Sequence, residues 1–264
     1  RQVHASLENR YLHQQALERE RIEQELNVAA TIQQKIIPDT LPKINGYDVA
    51  GKNIPTKEVG GDYYDCIPLP NGTCCLVVAD VSGKGVPASL LVSSLHAYLS
   101  AYLEGSLTLP LLAGKLNSAI YRASTSDRFI TAFIGLLKPE TGEIECMNAG
   151  HNPGYILRKD GSVQELKRGG LPLGVIDMGI PYESEHIRLE RGERFLVYSD
   201  GVTEAENDKH RLYEEVFPLP GFLQQHPGLG AEAFITTLIA HVRSFTGNAP
   251  QNDDITALYL SRLG

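Results

Sequence analysis

The stretch Cys74-Cys75-Leu76-Val77-Val78-Ala79 is apolar without a break and runs straight into Asp80. A half-exposed strand alternates polar and apolar residues, so an unbroken run of this kind reads as a strand buried on both faces. Such a strand must be covered twice, which requires a layered fold. With 264 residues the chain is long enough for one substantial core and an accessory helix.

The flanking segments fill in the layers. Pro87 to Leu103 and Leu109 to Ala123 read as helices, the first with proline in its opening turn. Arg128 to Leu137, Glu143 to Asn148 and Gly154 to Arg158 read as strands, separated by Pro-Glu-Thr-Gly and Asn-Pro-Gly turn signals. Arg194 to Ser199 is a further strand, Gly230 to Phe245 a helix, and Ile255 to Leu260 a last strand. Strands come in runs and helices in pairs, which predicts an α+β layered domain more than regular βαβ repeats.

Residues 1–37 have another texture. Ala5 to Ile37 contains no Gly and no Pro and is rich in Glu, Gln, Arg and Leu, which predicts one long helix stopped by Pro38 and Pro42. Leu12, Ile22, Leu26, Ala29 and Ile36 follow steps of three and four, with Gln15, Arg19 and Gln33 in the gaps. This weak heptad seam predicts a coiled coil, against the simpler alternative of an amphipathic helix lying on its own domain. The expected division is therefore a helical linker over 1–37 and a single folded domain over 38–264.

Composition excludes several classes of function. Hydrophobic residues at 42% and charged residues at 21% are those of a globular protein. A net charge of −8 argues against a nucleic-acid partner, although bound cations can reverse the sign of a local acidic site. Four cysteines at 66, 74, 75 and 146 form no Cys-x-x-Cys pair and read as reduced, buried thiols. No apolar stretch reaches the roughly 18 residues of a membrane span, and no signal peptide is evident. These features predict a cytoplasmic domain. The first residue is Arg1, not Met, which predicts further protein upstream, with room for a membrane tether there.

Chemistry is carried by acidic residues at strand ends. Asp62 lies in Gly60-Gly61-Asp62, Asp80 opens Asp80-Val81-Ser82-Gly83, Asp200 follows the strand Phe195–Tyr198 and precedes Gly201, and Asp253 and Asp254 precede the last strand. Glycine beside a carboxylate allows close approach of backbone and ligand. Carboxylates fixed on strand ends suit hard cations such as magnesium or manganese. Any one of these motifs alone is an ordinary turn; their order and context give them weight.

The ordered set Glu58–Asp65, Ala79–Ala88, Asn148–Pro153, Tyr198–Ala205 and Asn252–Thr256 resembles the SpoIIE/RsbU branch of the metal-dependent protein phosphatases, relatives of the type-2C enzymes. The likeness spans Ile36 onward. It implies a four-layer αββα sandwich of two antiparallel sheets flanked by helices, and two manganese or magnesium ions. By resemblance, Asp80 bridges both ions, the carbonyl of Val81 and the carboxylate of Asp62 bind the second, and Asp200 and Asp253 bind the first, with Asp254 the runner-up for Asp253. Asp65 reads as structural. The implied activity is hydrolysis of phosphoserine or phosphothreonine on a signalling partner, typically a STAS-type antagonist of an anti-sigma factor, by a metal-activated water. Such proteins usually carry an upstream sensory domain, and the helix suggests a homodimer. The alternative is a catalytically weak pseudophosphatase serving as a binding module.

Two positions depart from the type-2C pattern. An arginine that grips phosphate in those enzymes is replaced by Lys57, either a point-charge phosphate contact or a solvated loop lysine. A glutamate before the aspartate is replaced by Gly61, which predicts a loosely held second metal. The long helix next to that site predicts regulation, in which its rotation or pairing shifts the helices between Pro87 and Ala123 and so tunes Asp62 and Asp80. Ser82-Gly83-Lys84-Gly85 lacks the spacing of a nucleotide-binding P-loop. His151 reads as a turn-shaping residue and His96 as a packed one.

Overall fold

The computed structural model describes every residue except Arg1, Ser106 and Ser126, and side-chain surroundings from Arg10 onward. Helix α1 (Gln2–Gln33) is the predicted long helix. It stops at Gln33, ahead of Pro38, and the following turn closes through Ile36 and Ile37 amides bonded to the Gln33 carbonyl. Leu12 and Ile22 of the seam are 55% and 47% exposed, whereas Leu26, Ala29 and Ile36 are half-buried. From Arg10 onward, most of α1 is thus in solvent, and among the described residues it is the C-terminal part that meets the rest of the protein.

Among the described residues, eleven strands and six more helices follow. They are β1 (Tyr47–Ile54), β2 (Asp62–Pro68), β3 (Cys74–Val81), α2 (Val86–Leu103), α3 (Leu109–Ala123), β4 (Ile130–Lys138), β5 (Glu143–Ala149) and β6 (Gly154–Leu157). Then come β7 (Val163–Leu166), β8 (Gly169–Gly170), β9 (Glu185–Arg188), β10 (Arg194–Tyr198), α4 (Asp200–Thr203), α5 (Tyr213–Val216), α6 (Leu219–Gln225), α7 (Ala231–Thr246) and β11 (Ile255–Arg262). One sheet has the order β1-β11-β10-β6-β7. The other runs β2-β3-β4-β5-β8, with β9 also paired to β5. Every pairing is antiparallel except the two-residue parallel contact of β5 with β8.

Strand periodicity explains how the layers stack. In β3, Cys75, Val77, Ala79 and Val81 pack against α2 and α3, while Cys74, Leu76 and Val78 face the other sheet. In β11, Ala257 and Tyr259 pack towards α6 and α7, while Leu258 and Leu260 face inward. The result is the αββα sandwich, with one apolar core between the sheets and one beneath each helical layer. The unbroken apolar run is a strand clad on both faces, as the sequence required. All four cysteines are buried and free.

Helix α2 corrects one sequence expectation. It is 18 residues long with a mean hydropathy of 1.2, sufficient by length and composition to cross a membrane. Ser93, Ser94 and His96 interrupt its apolar run, which concealed this in the sequence. Its Leu91, Leu95 and Leu99 are buried on the β2–β3–β4 sheet, and in this fold it is a core helix.

Candidate metal centre

Strand parity carries the inward face of both sheets to one end of the sandwich. In β2, Asp62 shares a face with Tyr64 and Cys66; in β3, Asp80 shares one with Leu76 and Val78. The two aspartates are directly opposed in the β2–β3 ladder. From the other sheet, Thr256 lies on the face of Leu258, and Ser199 on the face of Val197. Asp200 follows Ser199 and opens α4, a single helical turn at the strand end.

Asp62 is 1% exposed. The Thr256 hydroxyl donates to its Oδ2 at 2.5 Å, tying the two sheets together. Burial, followed by the charge of Asp80, pushes the Asp62 carboxyl well above the usual carboxylate range, with hydrogen bonds from Ser199 and Thr256 opposing that shift. Asp80 is raised to about 7 by burial and by the charges of Asp200 and Asp253. Asp200 is raised to about 6 by burial and by Asp253 and Glu204. Several carboxylates repelling one another in a partly dry pocket form a site completed by cations.

Asp253 and Asp254 are adjacent but differently employed. Asp253 is 39% exposed in its side chain and meets Lys84 Nζ at 2.8 Å. Lys84 also donates to the carbonyl of Asn252. Asp254 is 6% exposed, and its carboxylate accepts from the backbone amides of Thr56 at 2.6 Å, Gly61 at 2.7 Å and Asp62 at 3.3 Å. Its oxygens are spent on holding the loop that delivers Asp62.

Glycines here are steric requirements. A Cβ on Gly201 would lie 2.0 Å from the Asp254 carbonyl oxygen, so only glycine lets the Asp200 turn press against the Asp253-Asp254 loop. A Cβ on Gly61 would lie 3.1 Å from the Val81 carbonyl oxygen and 3.3 Å from that of Gly83. The position that is acidic in type-2C enzymes is therefore tight here for any side chain. The Val81 amide donates to the Gly61 carbonyl at 3.1 Å, which seats the loop against the end of β3.

The donor set is all oxygen, which fits magnesium or manganese. Among the described residues, no three acidic, histidine or cysteine side chains are yet gathered tightly enough to grip one ion. Part of the reason is visible: Asp253 is engaged by Lys84, and Asp62 by Thr256.

A profile of the family described as Stage II sporulation protein E (SpoIIE) matches residues 70–263. The chain belongs to the SpoIIE family. Phosphoserine phosphatase RsbU of Bacillus subtilis (strain 168) is 27% identical over 242 residues, covering 91% of this chain and 71% of that protein. The SiaA-PP2C domain of Pseudomonas aeruginosa superposes with a TM-score of 0.78 at 25% identity, covering 94% of this chain and 100% of that one. The catalytic domain of the serine threonine protein phosphatase PstP, solved with two manganese ions, shares the fold with a TM-score of 0.61 at 14% identity, covering 83% of this chain and 99% of that one. This SpoIIE-family chain is thus a metal-dependent protein serine/threonine phosphatase by family, and solved relatives of its fold hold divalent ions.

Several sequence readings find their place in this SpoIIE-family site. Lys57 is exposed in the loop before Gly60; Lys84 is the lysine paired with a cluster carboxylate. His151 is buried, bonds Thr131 Oγ1 through Nδ1 at 2.9 Å, and is held at a pKa of about 4 by burial. Asn148 bonds the carbonyls of His151 and Asn152, so the turn is shaped as expected. Asp65 points to the helical side and accepts from the Tyr63 hydroxyl at 2.9 Å and the Cys66 amide at 2.7 Å. His96 Nδ1 meets that same hydroxyl at 3.0 Å.

Sequence reasoning missed Arg128, whose guanidinium bonds the Ser82 carbonyl at 3.0 Å and lies against Gly83. It also missed the structural work of Asp254. The available signal was the doubled acid: one of two adjacent carboxylates in a tight turn must face away from the other.

Proposed function

We propose that this domain hydrolyses phosphoserine or phosphothreonine on a signalling protein, using two manganese or magnesium ions held by Asp62, Asp80, Asp200, Asp253 and the carbonyl of Val81. The observation that carries this reading is the gathering of acidic residues from both sheets at one mouth of the sandwich, with Asp80 raised by burial and by the charges of Asp200 and Asp253, and Asp200 by burial and by Asp253 and Glu204. When bound, the cations supply a water of lowered pKa and positive charge for the phosphoryl oxygens.

The chain's own residues do the rest. Asp80, at the end of the buried strand, would be a ligand to the cations. Thr256 and Asp254 fix Asp62 and its loop. Asp253 is favoured over Asp254 as the ligand, because Asp254 is already committed to three backbone amides. Lys84, paired with Asp253 at 2.8 Å, would offer its charge to an incoming phosphate, with Lys57 a second phosphate contact from its exposed loop. The chain has no Cys-x5-Arg loop and hence no cysteinyl-phosphate route, which supports direct attack by water on the phosphoester.

The likeness to RsbU, a phosphoserine phosphatase, supports a phosphorylated STAS-type protein as substrate. Residues 1–37 serve as the linker to an upstream sensory domain, and the exposed Leu12 and Ile22 support pairing of two copies through α1 in the cytoplasm. The test is hydrolysis of a phosphoserine peptide with and without manganese, with Asp80→Asn as control. Activity that is absent under every metal condition, or that survives Asp80→Asn, would overturn the reading.

A further inference from the structure

Cys66 of β2 and Cys74 of β3 hold their sulfurs 2.9 Å apart, one thiol donating to the other. The strand register explains the meeting. Cys66 stands opposite Leu76 and Cys74 opposite Pro68, so the two cysteines are diagonal neighbours on one face of the ladder. That face is turned to the other sheet, and both side chains are buried in the core between the sheets. The remaining cysteines are placed differently. Cys75 follows Cys74 in the chain and therefore points to the helical layer. Cys146 shares the inner face, but it lies in β5, beyond Gly135 of β4. Among the described residues, Cys66 and Cys74 are the thiols in contact.

At rest the pair is quiet. The hydrogen bond with Cys74, and then burial, hold the Cys66 thiol far above its ordinary range, so little thiolate is present to react. The contact acts on the second step of an oxidation instead of the first. Once one sulfur is oxidised, the other has to move by only about an ångström to reach bonding distance. Access comes from the edge of the sheet. Within its sheet β2 pairs with β3 alone, and Cys74 directly follows a turn in which Pro70, Asn71 and Gly72 are exposed. Fraying of an edge strand at its turn breaks few hydrogen bonds and opens both thiols to a small oxidant.

We propose that Cys66 and Cys74 are a redox modification site, at which hydrogen peroxide forms a disulfide that clamps edge strand β2 to β3. One sulfur attacks a peroxide oxygen, the O–O bond breaks, and a sulfenic acid and one water result. The second sulfur then attacks the sulfenic sulfur. The S–S bond forms, the S–O bond breaks, and the departing hydroxide leaves as water with the second thiol's proton. Two thiols are oxidised and one peroxide is reduced, giving one disulfide and two waters. The clamp sits at the turn end of the hairpin, whereas Asp62 and Asp80 oppose each other at its other end. Oxidation therefore stiffens the hairpin that carries two of the clustered carboxylates without touching either of them.

The test uses the full chain, reduced, freed of reductant and then treated with hydrogen peroxide. Intact mass and thiol alkylation in denaturant are read before and after, and the link is located by peptide mapping. The expected result is a loss of two hydrogens per chain, two of the four free thiols protected from alkylation, and a link between Cys66 and Cys74. Dithiothreitol should reverse all three. Amide exchange in β2 should slow, and the melting temperature should rise by several degrees, as for closure of a short loop. Cys66→Ala should form no disulfide within the chain, and Cys74→Ala should behave alike and serves if the first variant does not fold. Four thiols still free after peroxide that fully oxidises glutathione in the same tube would overturn the proposal. So would a disulfide mapped to another pair or between two chains.

Discussion

The carboxylate of Asp254 and the amide of Gly61 are bonded at 2.7 Å across 193 residues of sequence. That bond separates two neighbouring acids by task. Asp254→Ala should lower stability by on the order of 3 kcal/mol, since three backbone amides lose their acceptor. Asp253→Asn should leave the melting temperature almost unchanged, because its pair with Lys84 is half in solvent and worth at most about 1 kcal/mol. It should nevertheless abolish manganese-dependent turnover. Denaturant melts and phosphopeptide assays on both variants check this, and reversed phenotypes would assign the ligand to Asp254.

Asp80→Asn should inactivate the enzyme yet stabilise the metal-free protein. The substitution removes a charge that is repelled by Asp200 and Asp253 and crowded by burial. A melting temperature in chelator above that of wild type is the expected outcome. A lower one would mean that Asp80 is held by favourable contacts, contrary to its raised pKa.

The metal-free protein should lose stability as pH rises. Asp80 and Asp200 have folded pKa values of about 7 and about 6 against an ordinary 3.8. Between these limits the folded state holds protons that the unfolded state has released, so the stabilisation is complete below pH 4 and is lost as pH climbs towards 7. Melts in chelator from pH 5 to pH 8 should fall, and saturating manganese should flatten the slope. A rising profile without metal would contradict the repulsion inferred here.

Lys84 and Lys57 can be separated by kinetics. Lys84→Gln should raise KM for a phosphopeptide and weaken inhibition by inorganic phosphate, with little effect on folding. Lys57→Gln, in the exposed loop, should give a smaller change in the same direction. Equal values for wild type and Lys84→Gln would remove Lys84 from phosphate recognition.

Much of this was legible in the sequence, for identifiable reasons. The run Cys74–Ala79 announced β3 because burial on both faces erases alternation, and α2 and α3 showed as a pair of helical segments, the first with proline in its opening turn. Strands β7, β8 and β9 did not show. They are two to four residues long at a sheet edge, where exposed positions carry no periodic signal. The carboxylates were visible because acid and glycine recur at strand ends. Their partners were not, because Thr256 with Asp62 and Lys84 with Asp253 are matched only when distant segments meet.

Strand β11 lies between β1 and β10, and its neighbourhood supplies Thr256, Asp254 and Asp253 to a centre whose other half is laid down some 170 residues earlier. During synthesis, every preceding element leaves the ribosome before this strand does. A chain lacking it has a sheet split in two and an Asp62 loop without the Asp254 and Thr256 contacts that hold it. Such a chain should bind metal poorly and dephosphorylate nothing. Assembly of the acidic centre is therefore tied to the closing of the β1-β11-β10 sheet, so the centre and that sheet form or fail together.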